Sequence, residues 1–547
     1  MGRPIAAICM DCGRGQPYSS SPTAQCQSCG SVWLEPHYDY LRFKREVLQG
    51  LPGRPHNIWR YQDVLPINEP ENLSFVNVGW TPLEPSLRYA QSIGLNKVYI
   101  KDERYGPTSS FKDRQAVLTI AAAVEANIPE LVIASTGNAA VAFAAACARA
   151  GIKLWVFMTS EVPQEKLRET ALYGAEVVRV NGSYEQTKQI AQEFAKQRGL
   201  LFERGARSIP ARESMKTIAY EIVEQLGWQA PDWYVQAVSG GLGPLGIYRG
   251  FEEMLRMGLI DRIPNIAILQ AEGCAPMARA FQANQEVATP VPSTTRIAIL
   301  STADPGKTYT LLYHRLKATG GAMEYVSDEA AFTSMRSLAK TEGMAVEPAS
   351  AVAFAGFEKL VSLGVIQKEQ TVVINCTGHT FPVEKHVLGD QWNVDIDLSR
   401  PAPAEEKMDR ALDHLEEKTI TVLIVDDNPD DAQLLRRILE TLQPVRILHA
   451  PNGLEGLAEA RQRLPGLIIL DLMMPNLDGF SLLDELKTDD RTADIPVIVI
   501  SAKDLTSEEV KRLNGRIEGI HQKGLLSIQT LRTQVASVLE KKRSRGG

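Results

Sequence analysis

IASTGNAAVAFAAA, residues 133–146, passes from an apolar run through Ser, Thr, Gly and Asn into an alanine-rich segment. Ser, Gly and Asn favour turns, and alanine is the best helix former. The stretch predicts a strand, a tight loop and the start of a helix, which is the joint of a strand–helix–strand unit. The same pattern recurs outward from it. LVIAS, KLWVFM, AEVVRV, WYVQAV, NIAILQAEG and QTVVINC are short runs rich in β-branched or aromatic residues. Helix-period segments such as PQEKLRETALYG and YEQTKQIAQEFAKQRG lie between several of them. Such alternation predicts an α/β body whose parallel sheets are covered on both faces.

The chain has 547 residues, too many for one compact domain. Its net charge of −7 and the lack of a basic stripe argue against nucleic acid as the main partner. The N-terminus MGRPIAAICMDCGRG is interrupted by Asp11 and Arg14 too soon for a signal peptide. The alanine-rich segments are broken by Arg149 and Lys153 before they could span a bilayer, so a cytoplasmic protein without membrane contact is expected. Near Asp390 the alternation lapses into QWNVDIDLSRPAPAEEKMDRALDHLEEK, whose prolines and charges predict a linker. A second, smaller alternating unit begins at TITVLIVDD. The expected domains are 1–35, 36–388, a linker 389–418, and 419–541.

Of seven cysteines, Cys147, Cys274 and Cys376 are scattered in apolar contexts and read as buried free thiols. Cys9, Cys12, Cys26 and Cys29 form CMDC and CQSC, each followed by glycine. Two such turns can converge four thiolates on a tetrahedral zinc ion at about 2.3 Å each. No further donor is suggested, so a structural zinc ribbon is the reading for residues 1–35.

Four short pieces of the body carry chemistry. Lys112, in PTSSFKDR, is a candidate Schiff-base nucleophile if burial lowers its pKa. Asn138 lies in the loop of the opening stretch, where it can hydrogen-bond a phenolic oxygen. In VQAVSGGLGPLGIYRG the N–H groups of Gly240, Gly241, Leu242 and Gly243 can cradle a phosphate. VVINCTGHT places Thr377 at the end of a buried strand.

Taken in that order, these pieces resemble the fold type II pyridoxal-phosphate enzymes, and more narrowly the threonine synthases. Collinear marks include LEPHYDY after the cysteines, VGWTPL at 78–83, IKDERYGPTSSFKDR at 100–114 and STGNAA at 135–140. MKTIAYEIVEQLGWQAPDW at 215–233, QAEGCAPM at 270–277 and EPASA at 347–351 extend them, so the resemblance covers roughly residues 5–385. It implies that Lys112 bonds the cofactor and then moves protons. Asn138 would hold the cofactor's 3-hydroxyl, residues 240–244 including Pro244 its phosphate, and Thr377 its ring nitrogen. Ser135, Thr136, Arg212 and Lys216 are expected to bind the substrate. The implied reaction converts O-phosphohomoserine and water to threonine and phosphate.

The chain departs from the family at several points. Ser109 and Ser214 stand where glycine is usual, and SGGLGPLG replaces the more usual Gly-Asn loop. The family's basic residue five positions before the lysine of the "KT" element is here Ala211, with Arg212 beside it. A threonine or serine dehydratase, or a cysteine or cysteate synthase, would keep the same cofactor residues. A catalytically silent metabolite-sensing module is the alternative of another class.

In the smaller unit, LIVDDNPDD ends an apolar run with Asp426 and Asp427, and LIILDLMMPNLDG at 467–479 does the same with Asp471. VIVISAK brings Ser501, and EGIHQKG brings Lys523, to later strand ends. Carboxylates converging at one sheet edge call for a hard cation such as magnesium. This constellation resembles a two-component receiver domain over about 419–540. It implies phosphorylation of Asp471 by a sensor histidine kinase, with Ser501 and Lys523 supporting the phosphoryl group. Receivers commonly have proline where Gly524 stands and an aromatic where Ile520 stands. The expected partners are an amino-acid substrate, the kinase and a second copy of the chain in a homodimer.

Overall fold

The computed structural model describes residues 4–19, 24–67, 77–135, 137–160, 162–379, 394–397, 420–440, 445–502, 505–523, 531, 534–535 and 537–539. The chain divides into two compact units, Met1–Ala404 and Glu405–Gly547. Among the described residues no helix is long and apolar enough to cross a membrane.

The first unit opens with a small antiparallel sheet of β1 (Ala6–Cys9), β2 (Gly15–Gln16) and β3 (Leu34–His37), with β1 in the middle. Two larger sheets follow. One contains β4 (Leu83–Pro85), β5 (Lys97–Asp102), β10 (Trp233–Ala237), β11 (Asn265–Ala271), β12 (Ala322–Val326) and β13 (Thr371–Cys376). Their order is β12-β11-β10-β13-β5-β4, parallel except for β4. The other contains β6 (Glu130–Ser135), β7 (Lys153–Thr159), β8 (Glu176–Asn181), β9 (Leu201–Phe202) and β14 (Val394–Asp397). It is parallel throughout, in the order β14-β8-β7-β6-β9.

The opening stretch forms as expected: β6, a loop, then helix α2 (Asn138–Ala150). The apolar runs became buried strands because helices cover both faces, as a parallel sheet requires. All five residues of β10, for example, are buried. Helix α1 (Lys112–Glu125) begins at the candidate lysine, and α3 (Ile209–Gln225) packs against α4 (Leu242–Arg256). That approach needs glycine, since a Cβ on Gly246 would lie 2.2 Å from the Arg212 carbonyl oxygen. Helices α5 (Lys307–Thr319) and α6 (Pro348–Ser362) flank the larger sheet.

A buried ionic network ties β5, α1 and α3 together. The Arg114 guanidinium meets Glu103 at 2.7 Å and Glu221, while Lys101 Nζ lies 2.8 Å from Glu221. Arg114 and Lys101, overcoming the effect of burial, hold the Glu221 carboxyl down at about 2. Each charge has partners, which is the condition for burying it at all.

The sequence departures can be placed. Ser109 adopts a left-handed φ of 55°, the conformation for which glycine is suited. Ser214 is wholly buried in α3, its hydroxyl donating to the Ala211 carbonyl at 2.8 Å. The stretch expected to be a linker is not all loop. Val394–Asp397 forms β14, Val394 opposite Val178 and Asp397 opposite Asn181, so this strand belongs to the first unit. The rest of 389–418 lies outside the described residues.

The second unit is a five-stranded parallel sheet of β15 (Ile420–Val425), β16 (Val445–Ala450), β17 (Leu467–Leu470), β18 (Val497–Ser501) and β19 (Gly519–Gln522). The order β16-β15-β17-β18-β19 puts the topological switch between β15 and β17. Its first helix starts at Pro429, one residue beyond the Asp426–Asp427 pair.

Candidate active site

A cavity of about 300 Å³ opens between the two large sheets of the first unit. Lys112, Ser135, Asn138 and Thr377 line it, as do Gly240, Gly241, Leu242 and Gly243. They reach it from the C-terminal ends of β6, β10 and β13 and from the start of α1, which is where open parallel sheets bind ligands. Lys112 is the first residue of α1, and its Nζ lies 3.3 Å from Gln115 Oε1. Desolvation pulls its amine down to about 8, against a weaker opposing pull from Glu203. Glu203 also lines the cavity, and one of its oxygens is buried without a hydrogen-bond partner. Burial raises its carboxyl pKa.

Asn138 Nδ2 donates to Glu347 Oε1 at 2.7 Å, and its Oδ1 is buried without a partner. Burial raises the pKa of Glu347 as well. Thr377 Oγ1 and Ser350 Oγ are 2.8 Å apart, and the Gly378 N–H donates to Ser350 Oγ at 2.8 Å. Gly241 caps α4 with φ 80°, so that helix begins in the cavity wall, where its first N–H groups have no partner within the helix. Pro244 is buried inside α4 rather than in the cavity wall. A helix terminus for a phosphate, an amine with a lowered pKa, and polar groups with spare capacity around a cavity of this size fit a phosphorylated aldehyde with an aromatic ring.

Two residues expected at the substrate are elsewhere. The buried Arg212 guanidinium donates to the carbonyls of Ala206 and Leu34 and lies 5.6 Å from the Trp33 ring. One position along a helix rotates a side chain by about 100°, so Arg212 faces β3 where position 211 does not. Lys216 is wholly buried, paired with Glu213 and with Glu253 at 3.2 Å, its Nζ 4.1 Å from the Tyr38 ring. Neither lines the cavity. Ser135 does, and its hydroxyl accepts from the N–H groups of Gly137 at 3.2 Å and Ala140 at 3.1 Å. Thr136 lies outside the described residues.

The four N-terminal cysteines meet. Cys9 and Cys29 Sγ are 3.6 Å apart, as are Cys12 and Cys26 Sγ, and all four lie within 4.8 Å of one another without a disulfide. Four thiolates at 2.3 Å around a tetrahedral ion would stand about 3.8 Å apart, so the set fits zinc.

In the second unit Asp426, Asp427 and Asp471 bring their oxygens within 4.8 Å of one another. Lys523 Nζ lies 2.8 Å from Asp426, 2.8 Å from Asp431 and 2.7 Å from Asp471. Those carboxylates outweigh desolvation and raise the Lys523 pKa. Ser501 ends β18 at the same sheet edge, buried. An all-carboxylate set of this kind suits magnesium. Ile520, in β19, is exposed, and Gly524 lies outside the described residues.

Residues 75–378 match the family of pyridoxal-phosphate dependent enzymes, more than half of the chain. The chain belongs to that family. Within the pyridoxal-phosphate-dependent enzymes it is similar to the threonine synthase of Methanocaldococcus jannaschii, 33% identical over 377 residues, covering 68% of this chain and 91% of that one. It is likewise similar to the threonine synthase of Methanosarcina acetivorans, 32% identical over 383 residues, 70% and 93% covered. Residues 422–536 match the response regulator receiver domain. The chain is therefore a threonine synthase-like, pyridoxal-phosphate-dependent lyase joined to a receiver domain.

Sequence reading missed Glu203, Gln115, Ser350 and Glu347 as members of the site. The last two stand in EPASA, which carried a resemblance but no role. Glu203 follows the short apolar strand β9, as Asp471 follows β17.

Proposed function

We propose that the first unit converts O-phosphohomoserine and water to threonine and phosphate, and that phosphorylation of Asp471 in the receiver governs it. The observation carrying the first half is Lys112 at the head of the cavity, in a chain that covers more than nine-tenths of a threonine synthase.

Pyridoxal phosphate, when bound, supplies the electron sink that lets a proton leave beside the amino group. Lys112 would hold the cofactor and serve as the proton carrier at the substrate carbons, its lowered pKa leaving part of it neutral near pH 7. Asn138, oriented by Glu347, would hold the ring hydroxyl. The 240–243 N–H groups hold the cofactor phosphate. The Thr377 hydroxyl, paired with Ser350, would serve as the partner of the ring nitrogen, and being neutral it would not favour protonation there. This puts more of the work on proton transfer by Lys112. Ser135 and Thr136 orient the substrate carboxylate. The structural zinc is held by Cys9, Cys12, Cys26 and Cys29.

In the receiver, Asp426, Asp427 and Asp471 hold magnesium. A sensor histidine kinase supplies the phosphoryl group, and Ser501 and Lys523 stabilise it on Asp471. The phosphorylated domain alters the activity or assembly of a cytoplasmic homodimer.

One observation favours a second reading. With Ala211 in place of a cation and Arg212 turned toward β3, the substrate side of the cavity differs from the family pattern. A β-substituted substrate, as in a dehydratase or a cysteine or cysteate synthase, accommodates that difference. The test is phosphate release from O-phosphohomoserine by the cofactor-loaded full chain, with threonine identified as product. It is run with and without magnesium and a small-molecule phosphodonor. Turnover supports the first reading, and a donor-dependent rate supports control by the receiver. Turnover of O-phosphoserine instead would establish the second.

A further inference from the structure

The small cysteine-bearing sheet does more than begin the chain. Trp33, between the second cysteine pair and β3, lines the catalytic cavity. Lys307, the first residue of α5, lines it too, its Nζ 5.6 Å from the Trp33 ring. The ammonium of Lys307 pairs with Asp11, which stands between Cys9 and Cys12. Asp11 is fixed in turn, since Ser31, beside the second cysteine pair, donates its hydroxyl to the other Asp11 oxygen. Its own N–H points at Cys9 Sγ at 3.4 Å. Both turns of the knuckle thus hold one carboxylate, and that carboxylate holds one cation of the cavity wall.

We propose that the knuckle is part of the substrate site: Asp11 is a positioning residue that presents Lys307 to the phosphate monoester of the substrate. This rests on the reading that the substrate is phosphorylated. The two cations assigned to that role from the sequence, Arg212 and Lys216, are engaged away from the cavity. Among the described residues, four other cations besides Lys112 line it: Lys188, Arg204, Arg207 and Lys307. Lys188 and Arg207 are exposed, so any hold they have on an anion is screened by water and salt. Burial disfavours the charged form of Arg204, and the neighbouring Glu203 opposes this only in part. Lys307 is only 26% exposed, and a fixed partner orients it. An ammonium has three hydrogens, so the one taken by Asp11 leaves two for phosphate oxygens. A carboxylate that orients a cation lowers the entropic cost of holding it in place when the ligand arrives.

The test titrates inorganic phosphate into the pyridoxal-phosphate-loaded full chain by calorimetry. Wild type, Lys307→Gln and Asp11→Asn are compared, with zinc content and cofactor affinity measured in parallel. Removing the charged donor is expected to weaken phosphate binding about tenfold. Asp11→Asn, which loosens a partly exposed pair, is expected to weaken it about two- to fivefold. Zinc content and cofactor affinity should stay at wild-type values, and with a turned-over phosphorylated substrate Asp11→Asn should raise KM without lowering kcat. Unchanged phosphate affinity in Lys307→Gln overturns the proposal; the substitution lies outside the cysteine segments, and the parallel zinc measurement reads whether losing the Asp11 contact disturbs the metal site. Loss of cofactor affinity instead assigns Lys307 to the cofactor's phosphate and equally overturns it. Weakening in Lys307→Gln alone overturns the role of Asp11. A chain that binds phosphate through Lys307 yet releases none from O-phosphohomoserine keeps this proposal and refutes the proposed substrate.

Discussion

The lowered pKa of Lys112 has a consequence that can be measured without knowing the substrate. An amine at about 8 is neutral in about one molecule in ten at pH 7. An amine at its ordinary 10.5 is neutral in only about one in three thousand. Since only the neutral amine attacks an aldehyde, Lys112 should capture pyridoxal phosphate at pH 7 about 300 times faster, for equal nucleophilicity, than a solvated lysine. The assay strips the cofactor from the full chain, mixes it with fresh pyridoxal phosphate, and follows the cofactor absorbance from pH 6 to 10. Rates are divided by those of a free lysine derivative under the same conditions. The absolute rate should rise with pH and level off just above 8, whereas the free amine keeps gaining past 10. Glu203→Gln removes a negative charge that favours the ammonium, so its midpoint should fall below that of the wild type. A rate that climbs steadily through pH 9.5, or a midpoint that rises in Glu203→Gln, would refute the placement of Lys112 in a desolvated wall beside that carboxyl.

Three other outcomes are expected. Arg114→Met leaves Glu103 and Glu221 facing each other with only Lys101 to neutralise them, at a cost of about 3–5 kcal/mol, visible as a lower urea midpoint for the first unit. Asp471→Asn should take up no phosphoryl group from a small-molecule donor with magnesium, while Lys523→Ala should still bind magnesium but label slowly; equal labelling of all three proteins would speak against the pocket. Cys12→Ser should lower zinc from one per chain toward none by elemental analysis, and an unchanged ratio would remove the knuckle as the metal site.

Much of this architecture could be read from the sequence because parallel strands and helix starts are written in local residue types. The apolar runs ending in Ser135, Cys376, Asp426 and Asp471 each became a strand whose end faces a site. The family resemblance implied that Lys112, Asn138 and the glycine loop share one site, and all three line one cavity. Side-chain direction within helices was not legible. Arg212 and Lys216 lie at the expected positions along α3, but a helix turns about 100° per residue, and the partners that claimed them come from β3, α4 and the loop before α3. Glu203 was missed because β9 has only two residues, too few to show a pattern. Lys307 and Asp11 are 296 residues apart, and no local signal joins them.

Strand β14 bears on any attempt to study the two halves separately. A cut placed at residue 388, where the catalytic motifs end, would remove Val394–Asp397 and bare the flank of β8. An unpaired parallel edge invites pairing with whatever chain is near, so such a fragment is prone to self-association for reasons unrelated to the receiver. A severed enzyme that clumps or slows would then be mistaken for one that has lost its regulator. Ending the fragment at Ala404, where the first compact unit ends, keeps the flank covered and makes the comparison one of signalling alone.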